Sequence, residues 1–285
     1  MVTIDPALDR AETQFARSRA VARPSLGLGR PVGVIAVARA LLLPLLLLVI
    51  WQLAVNREIY TAGQLPPPLD VVAAARELQA IGQLVPNVTA SVQRVAIGWT
   101  AGAAIAIAIG LLVGFSRVAE GFLAPTIQAF RAVPSLAWVP LFVLWFGIGD
   151  LPKLLLIAVG AFFPVYTNLV AGVRQIDRKL IEVGRAYGLR GVSLTQEILF
   201  PAALPSLLTG LRLGLAQAWL FLVAAELIGA SRGLGFLLVD AQNTGRADIL
   251  MLGIVLLALL GKGTDVLLAR GERRLLRWND TFRGG

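Results

Sequence analysis

Few residues in this chain could do chemistry by type. Histidine and cysteine are both absent, so disulfides, thiol or imidazole metal sites, the common nucleophile pairs and histidine acid/base steps have nothing to use. The lone Gly-Lys pair, Gly261-Lys262, is followed by Gly263 and lacks the upstream glycine of a phosphate-binding loop. What remains is a set of single charges, Arg131, Arg212, Glu226 and Lys262, in or beside long apolar runs, and one dense charged block from Arg174 to Arg190. An enzyme would need several polar groups at one depth, and these single charges are scattered.

The elements that must carry these residues are set by the solvent. Of 285 residues, 57% are apolar and 15% charged, with mean hydropathy +0.76, whereas soluble domains carry about 25% charged residues. Lipid is therefore the solvent for most of the chain. The net charge of +9 does not point to nucleic acid, because the basic residues fall in short blocks between apolar runs, as cytoplasmic loops of membrane proteins do. A mostly polar stretch with Arg10, Arg17, Arg19, Arg23 and Arg30 precedes the first apolar run, which thus reads as a retained anchor and not a cleaved signal.

A hydrocarbon core of ~30 Å takes about 20 apolar residues as a helix. The pattern predicts an all-α, polytopic transmembrane bundle of six spans, at 34–55, 90–115, 121–148, 153–173, 207–229 and 249–269. These make up a membrane domain over 33–270, between an N-terminal tail at 1–32 and a C-terminal tail at 271–285. Six spans put both tails on one side. That side, with the Arg117 loop and the 174–190 block, holds 16 Lys and Arg against five on the other (Arg57, Arg76, Lys153, Arg232, Arg246), so both termini are expected in the cytoplasm of an inner-membrane protein. Pro66-Pro67-Pro68 followed by Val71, Ala75, Leu78 and Ile81 predicts an amphipathic helix on the outer membrane face. Glycine pairs four apart, Gly98/Gly102, Gly110/Gly114 and Gly210/Gly214, predict close helix crossings. Trp138, Trp145 and Trp219 read as interfacial or packing residues.

The segment 174–201 keeps Ile176, Leu180, Val183 and Tyr187 on one helical face. Gly188 can close that helix in a left-handed conformation, and Ser193-Leu194-Thr195-Gln196 matches a capping box that would start a second one. Pattern alone leaves two readings open: an ordered elbow on which a soluble motor can push, and a solvated connector with incidental amphipathicity.

A resemblance separates them. Glu182-Val183-Gly184, then Gly188, then Ile198-Leu199-Phe200-Pro201 resembles the EAA loop of binding-protein-dependent ABC importer permeases, which reads Glu-Ala-Ala, Gly and Ile-x-Leu-Pro at that spacing. Val183-Gly184 stands for the alanine pair and Phe200 for the leucine. The likeness extends over residues 60 to 278 and takes in Arg131-Ala132-Val133-Pro134, Trp138-Val139-Pro140, Leu144-Trp145-Phe146-Gly147-Ile148-Gly149, Ala224-Ala225-Glu226-Leu227-Ile228-Gly229 and Glu272-Arg273-Arg274-Leu275. These look like the aliphatic sulfonate, taurine and nitrate branch, the sulfonate members above the others. The resemblance implies a type I, MetI-like permease fold and a homodimer around a central pathway in the lipid. It implies a cytoplasmic ABC ATPase dimer docked on Glu182, Val183, Gly184, Arg185, Ala186, Gly188 and Pro201, and a periplasmic solute-binding protein. ATP and Mg would belong to the ATPase, leaving this chain without a cofactor or a catalytic step of its own. The cargo would be a small anion, an aliphatic sulfonate first, with taurine or nitrate as alternatives. An ion-driven secondary transporter is the competing class, and no pair of similar halves supports it.

The buried charges complete the expectations. Counted from Gly121, Arg131 lies ~15 Å into its span, and Glu226 lies ~28 Å along its own from Leu207, so a direct pair between them is strained. Either Arg131 faces the pathway and favours an anion, or it bonds carbonyls freed at Pro134. Arg212, Lys262 and Asp265 sit close enough to the inner boundary to snorkel and read as structural.

Overall fold

The computed structural model describes residues 34–61 and 63–278; the expected tails lie outside them, except for 271–278. Two compact units meet at Trp51/Gln52. The first holds most of α1, Val34–Asn56, which fills the expected first span and is apolar over its described stretch Leu42–Asn56. The second unit holds everything that follows.

Among the described residues the ordered chain is helical, with no strand. After α1 come α2 (Pro68–Ala80), α3 (Leu84–Phe115), α4 (Arg117–Ala132), a 3-10 turn (Ser135–Trp138), α5 (Val139–Phe146) and α6 (Asp150–Arg174). Then follow α7 (Arg178–Ala186), a single turn at Gly191–Leu194, a π turn at Thr195–Leu199, α8 (Phe200–Leu227), α9 (Leu234–Thr244) and α10 (Ala247–Leu275).

Among the described residues, four stretches are long and apolar enough to cross a bilayer: α3, α6, Thr195–Leu227 and α10. They match the expected second, fourth, fifth and sixth spans and overrun them at one or both ends, because a helix does not stop where its apolar residues do; the fifth, expected to 229, ends at Leu227. Thus α3 already starts at Leu84, and α10 continues to Leu275, so the first residues of the expected C-terminal tail are helical.

The third span is a correction. Expected as one helix over 121–148, it is α4 followed by Ser135–Phe146, bent by 88°. Pro134 explains the break: it has no N–H to offer a helix, and its ring pushes Val133 out of the α region, to φ −76° and ψ 123°. Gly147, at φ 75°, then ends α5. The α2 expectation shifts slightly as well. Pro68 occupies its first turn, where a missing N–H costs nothing, but the buried face is Val71, Ala74 and Leu78, and Ile81 lies beyond the helix end with 59% of its surface exposed.

At the centre of the second unit, α3 and α8 both pack along α6. Glycine makes the approach possible. A Cβ at Gly102 would strike the Ala158 carbonyl, and Cβ atoms at Gly110 and Gly214 would sit 2.9 Å from Leu169 Cδ2 and Val165 Cγ2, so these backbones lie closer than alanine permits. Around the crossings Ala103, Ala106, Val165, Leu169 and Ala203 form one core cluster, and Ile157, Ala161, Ala218 and Leu222 another.

Candidate functional site

The charged block folds as an elbow. Asp177 caps α7, its carboxylate accepting from the Lys179 N–H at 2.9 Å. At the other end Gly188, at φ 82°, closes the helix: its N–H bonds the Arg185 carbonyl at 3.0 Å, and the Leu189 N–H reaches back to the Gly184 carbonyl at 3.0 Å, the pairing of a Schellman motif. Gly184 is buried, because a Cβ there would meet Ile198 Cδ1 at 2.5 Å and Leu194 Cδ1 at 2.7 Å. This tight contact folds α7 back on the turn that leads into α8.

The second half of the elbow differs from the expected capping box. Ser193 lies inside the Gly191–Leu194 turn and does not start a helix; its hydroxyl accepts from the Arg190 N–H at 3.2 Å and donates to the Arg190 carbonyl at 2.9 Å. A hydroxyl so occupied cannot cap. The chain passes instead through the π turn straight into α8, with Pro201 in the first turn of that helix. The expected coupling residues divide accordingly. Gly184 packs the elbow against Ile198 and Leu194, Gly188 closes α7, Pro201 sits in the first turn of α8, and Glu182, Val183, Arg185 and Ala186 are exposed. The expected apolar face is present but faces outward: Leu180 is 48% exposed, Val183 52% and Tyr187 84%. Arg178, Lys179, Arg185 and Arg190 are exposed on the same elbow, with the acids Asp177 and Glu182.

Arg131 lies in the last turn of α4, exposed on the wall of an open cavity of about 660 Å³ that Gln128, Tyr166, Thr167 and Arg174 also line. Among the described residues it makes no ion pair and no hydrogen bond to the carbonyls at the Pro134 break. Arg174, across the cavity, is paired with Glu120.

Glu226 pairs with Arg94. The Arg94 Nη1 donates to Glu226 Oε1 at 2.7 Å and to the Arg232 carbonyl at 2.6 Å, while its Nη2 lies 2.8 Å from Asp150. The fully buried carboxylate also accepts from Ser91 Oγ, 2.8 Å from Oε1, and from the Gly235 N–H at 2.8 Å. Ser91 Oγ accepts from the Leu234 N–H and Asn87 Oδ1 from the Gly233 N–H, both at 2.8 Å. One polar knot thereby ties α3, the start of α6, the end of α8 and the loop into α9. Sequence reasoning missed it because Arg94, although inside the expected second span, was not weighed with the other single charges of the apolar runs. The available signal was the spacing of Asn87, Ser91 and Arg94, four and three residues apart and so on one helical face.

Midway along α8, Arg212 bonds Asp265 at 3.0 Å and Glu272 at 3.1 Å, and Lys262 lies 3.6 Å from Asp265. Trp219 is buried and donates its Nε1–H to Thr264 Oγ1 at 3.0 Å. These are packing ties between α8 and α10. Trp138 stacks between Phe130 and Phe142, and Trp145 is exposed.

Comparison with known proteins places this architecture. Residues 103–277 match the family described as binding-protein-dependent transport system inner membrane component. The chain is 42% identical, over 86% of its length and 89% of the relative's, to a Bacillus subtilis (strain 168) protein named as an aliphatic sulfonates transport permease. It is 34% identical to the taurine transport system permease protein of Escherichia coli (strain K12), covering 82% of this chain and 86% of that one. With the nitrate import permease protein of Synechocystis it shares 30% identity over 78% of this chain and 83% of the relative. Among solved structures, a chain of the inward-facing MetNI methionine ABC transporter superposes with a TM-score of 0.60 at 23% identity, covering 69% of this chain and 98% of the other. Its helical order, its glycine-packed crossings and the match over most of its membrane helices lead to one conclusion: the chain belongs to the inner-membrane permease family of binding-protein-dependent ABC importers.

Proposed function

We propose that this permease carries a small oxyanion inward, an aliphatic sulfonate before taurine or nitrate, as a homodimer in the inner membrane with both termini in the cytoplasm. Relatives named for sulfonates, taurine and nitrate move cargo with a common head chemistry, a negatively charged oxygen cluster. The unpaired Arg131 on a polar cavity wall supports that head chemistry here.

The observation that carries the mechanism is the outward apolar face of α7, Leu180, Val183 and Tyr187, on a helix locked at both ends. Exposed side chains of this size, on a helix that also exposes Arg178, Lys179, Arg185 and Arg190 against Asp177 and Glu182, suit a partner groove with an apolar floor and a net acidic rim. We assign that groove to a cytoplasmic ABC ATPase, and the opposite mouth to a solute-binding protein. ATP-driven closure of two ATPase subunits draws the two elbows together and opens the bundle outward; hydrolysis reverses the movement.

The test is reconstitution of the transporter in proteoliposomes with its ATPase and binding protein. Uptake of labelled alkanesulfonate should need ATP inside the motor compartment and persist when ion gradients are collapsed. Glu182→Lys and Tyr187→Asp should lose the ATPase on co-purification while the permease stays in the membrane. Uptake that follows the ion gradient, or full ATPase retention by both variants, overturns the assignment.

A further inference from the structure

Two cavities meet along α4. The larger holds Arg131, Gln128, Tyr166 and Thr167. The smaller, about 300 Å³, presents no polar atom and is walled by the rings of Phe130, Trp138, Phe142, Phe162 and Phe163. Ile127 belongs to both walls. Tyr166 of the polar cavity also stacks on Phe162 of the apolar one, with centroids 5.7 Å apart and ring planes 8° apart. Neighbours in the chain, Phe130 and Arg131, thus stand one in each.

We propose that the two cavities form a single head-and-tail site for an organic anion, the oxyanion at Arg131 and an alkyl or aryl tail among the rings. This deepens the permease reading and rests on it: the membrane subunit itself then selects for the tail. Three observations converge. Within the expected spans, Arg94 and Arg212 each bond a carboxylate, whereas Arg131 makes no ion pair among the described residues. An unpaired guanidinium in a membrane span calls for an anion or water. Next, Arg131 follows Arg117 by fourteen positions in one helix, about 21 Å along its axis, so it stands at the Pro134 break and well apart from the basic residue that begins α4. Last, the apolar cavity has the volume of roughly ten waters at ~30 Å³ each, enough for an aryl ring or a medium alkyl chain. Nitrate would leave it unused. Taurine would bring an ammonium to a wall with no oxygen to bond it.

The experiment uses the assembled transporter, permease with its ATPase subunits, in phosphatidylcholine nanodiscs without nucleotide. Linear alkanesulfonates from methane- to octanesulfonate, and nitrate, are titrated by calorimetry. Affinity should rise about fourfold per methylene while the chain fits, the effect of burying one CH₂, and nitrate should show no binding. Arg131→Gln should weaken every alkanesulfonate by tenfold or more and keep the chain-length increment. Phe130→Ala, and independently Trp138→Leu, should collapse the ratio of octane- to methanesulfonate affinity. No alkanesulfonate binding by protein that, from the same purification, shows ATP-driven uptake in proteoliposomes overturns the site and leaves the transporter reading standing. An unchanged ratio in both ring variants overturns it as well. So does loss of the increment when phosphatidylglycerol replaces phosphatidylcholine, which would make the apolar cavity a lipid seat. Gradient-driven uptake with the binding series intact would instead strike the permease mechanism alone.

Discussion

Glu226 shows how a single carboxylate can hold four segments. It accepts from Arg94, Ser91 and Gly235, and all of these bonds are buried. Replacing it with alanine leaves Arg94 desolvated with only Asp150 and a carbonyl as partners, so Glu226→Ala should destabilise the protein by about 3 kcal/mol, the cost of breaking a buried ion pair. Glu226→Gln keeps an acceptor for the Gly235 amide and should lose less. Thermal unfolding in detergent measures both, and a wild-type midpoint for the alanine variant would mean the knot contributes nothing. Outside the spans, Arg246 bonds Glu77 at 2.7 Å and Asp248 at 2.8 Å. The hydrogen bond from Arg246 holds the Glu77 carboxyl below its ordinary 4.5. A depressed acid stabilises the fold above its unfolded value and loses that contribution as pH falls through the lower, folded one. The unfolding midpoint should therefore drop as pH falls below about 4.5, and Arg246→Gln should flatten that part of the profile.

At the scale of elements, the sequence was readable where the cause was local. The glycine pairs name the α3–α6 and α6–α8 crossings because a missing Cβ is visible in the residue type itself, and Gly188 announces the end of α7 for the same reason. Pro134 was visible too, yet the apolar run across it concealed the bend of α4 and α5, since hydropathy records solvent and not direction. The capping box at Ser193 was misread because the hydroxyl's partner, Arg190, lies three residues upstream and not downstream. Arg131's cavity and the Glu226 side of the Arg94 pair depend on contacts far apart in the chain; the spacing of Asn87, Ser91 and Arg94 marks a polar helical face but not what it meets. The elbow gives a direct check. Gly188→Ala places a Cβ at φ 82°, a strain of about 1 to 2 kcal/mol, and should reduce ATPase co-purification; Gly188→Asn, which tolerates the left-handed region, should retain more of it.

For the whole molecule, the absence of native cysteine is an experimental advantage. A single Gln79→Cys on α2, exposed in the structure, should react with a membrane-impermeant maleimide added outside intact cells, and a single Tyr187→Cys should react only after permeabilisation. The reverse pattern would invert the orientation read from the 16-to-five distribution of basic residues. Such a reversal would also remove the elbow from any cytoplasmic motor. One further property follows from the run Thr195–Leu227, which joins the π turn to α8 without interruption. At 1.5 Å per residue it is a rod of about 50 Å. Its near end is seated by Ile198 against Gly184, and its far end is bolted by Glu226 to α3 and α9. We propose that a push on the elbow travels along this helix, past the π turn and Pro205 as its two bend points, and loads the Glu226 carboxylate at the far end.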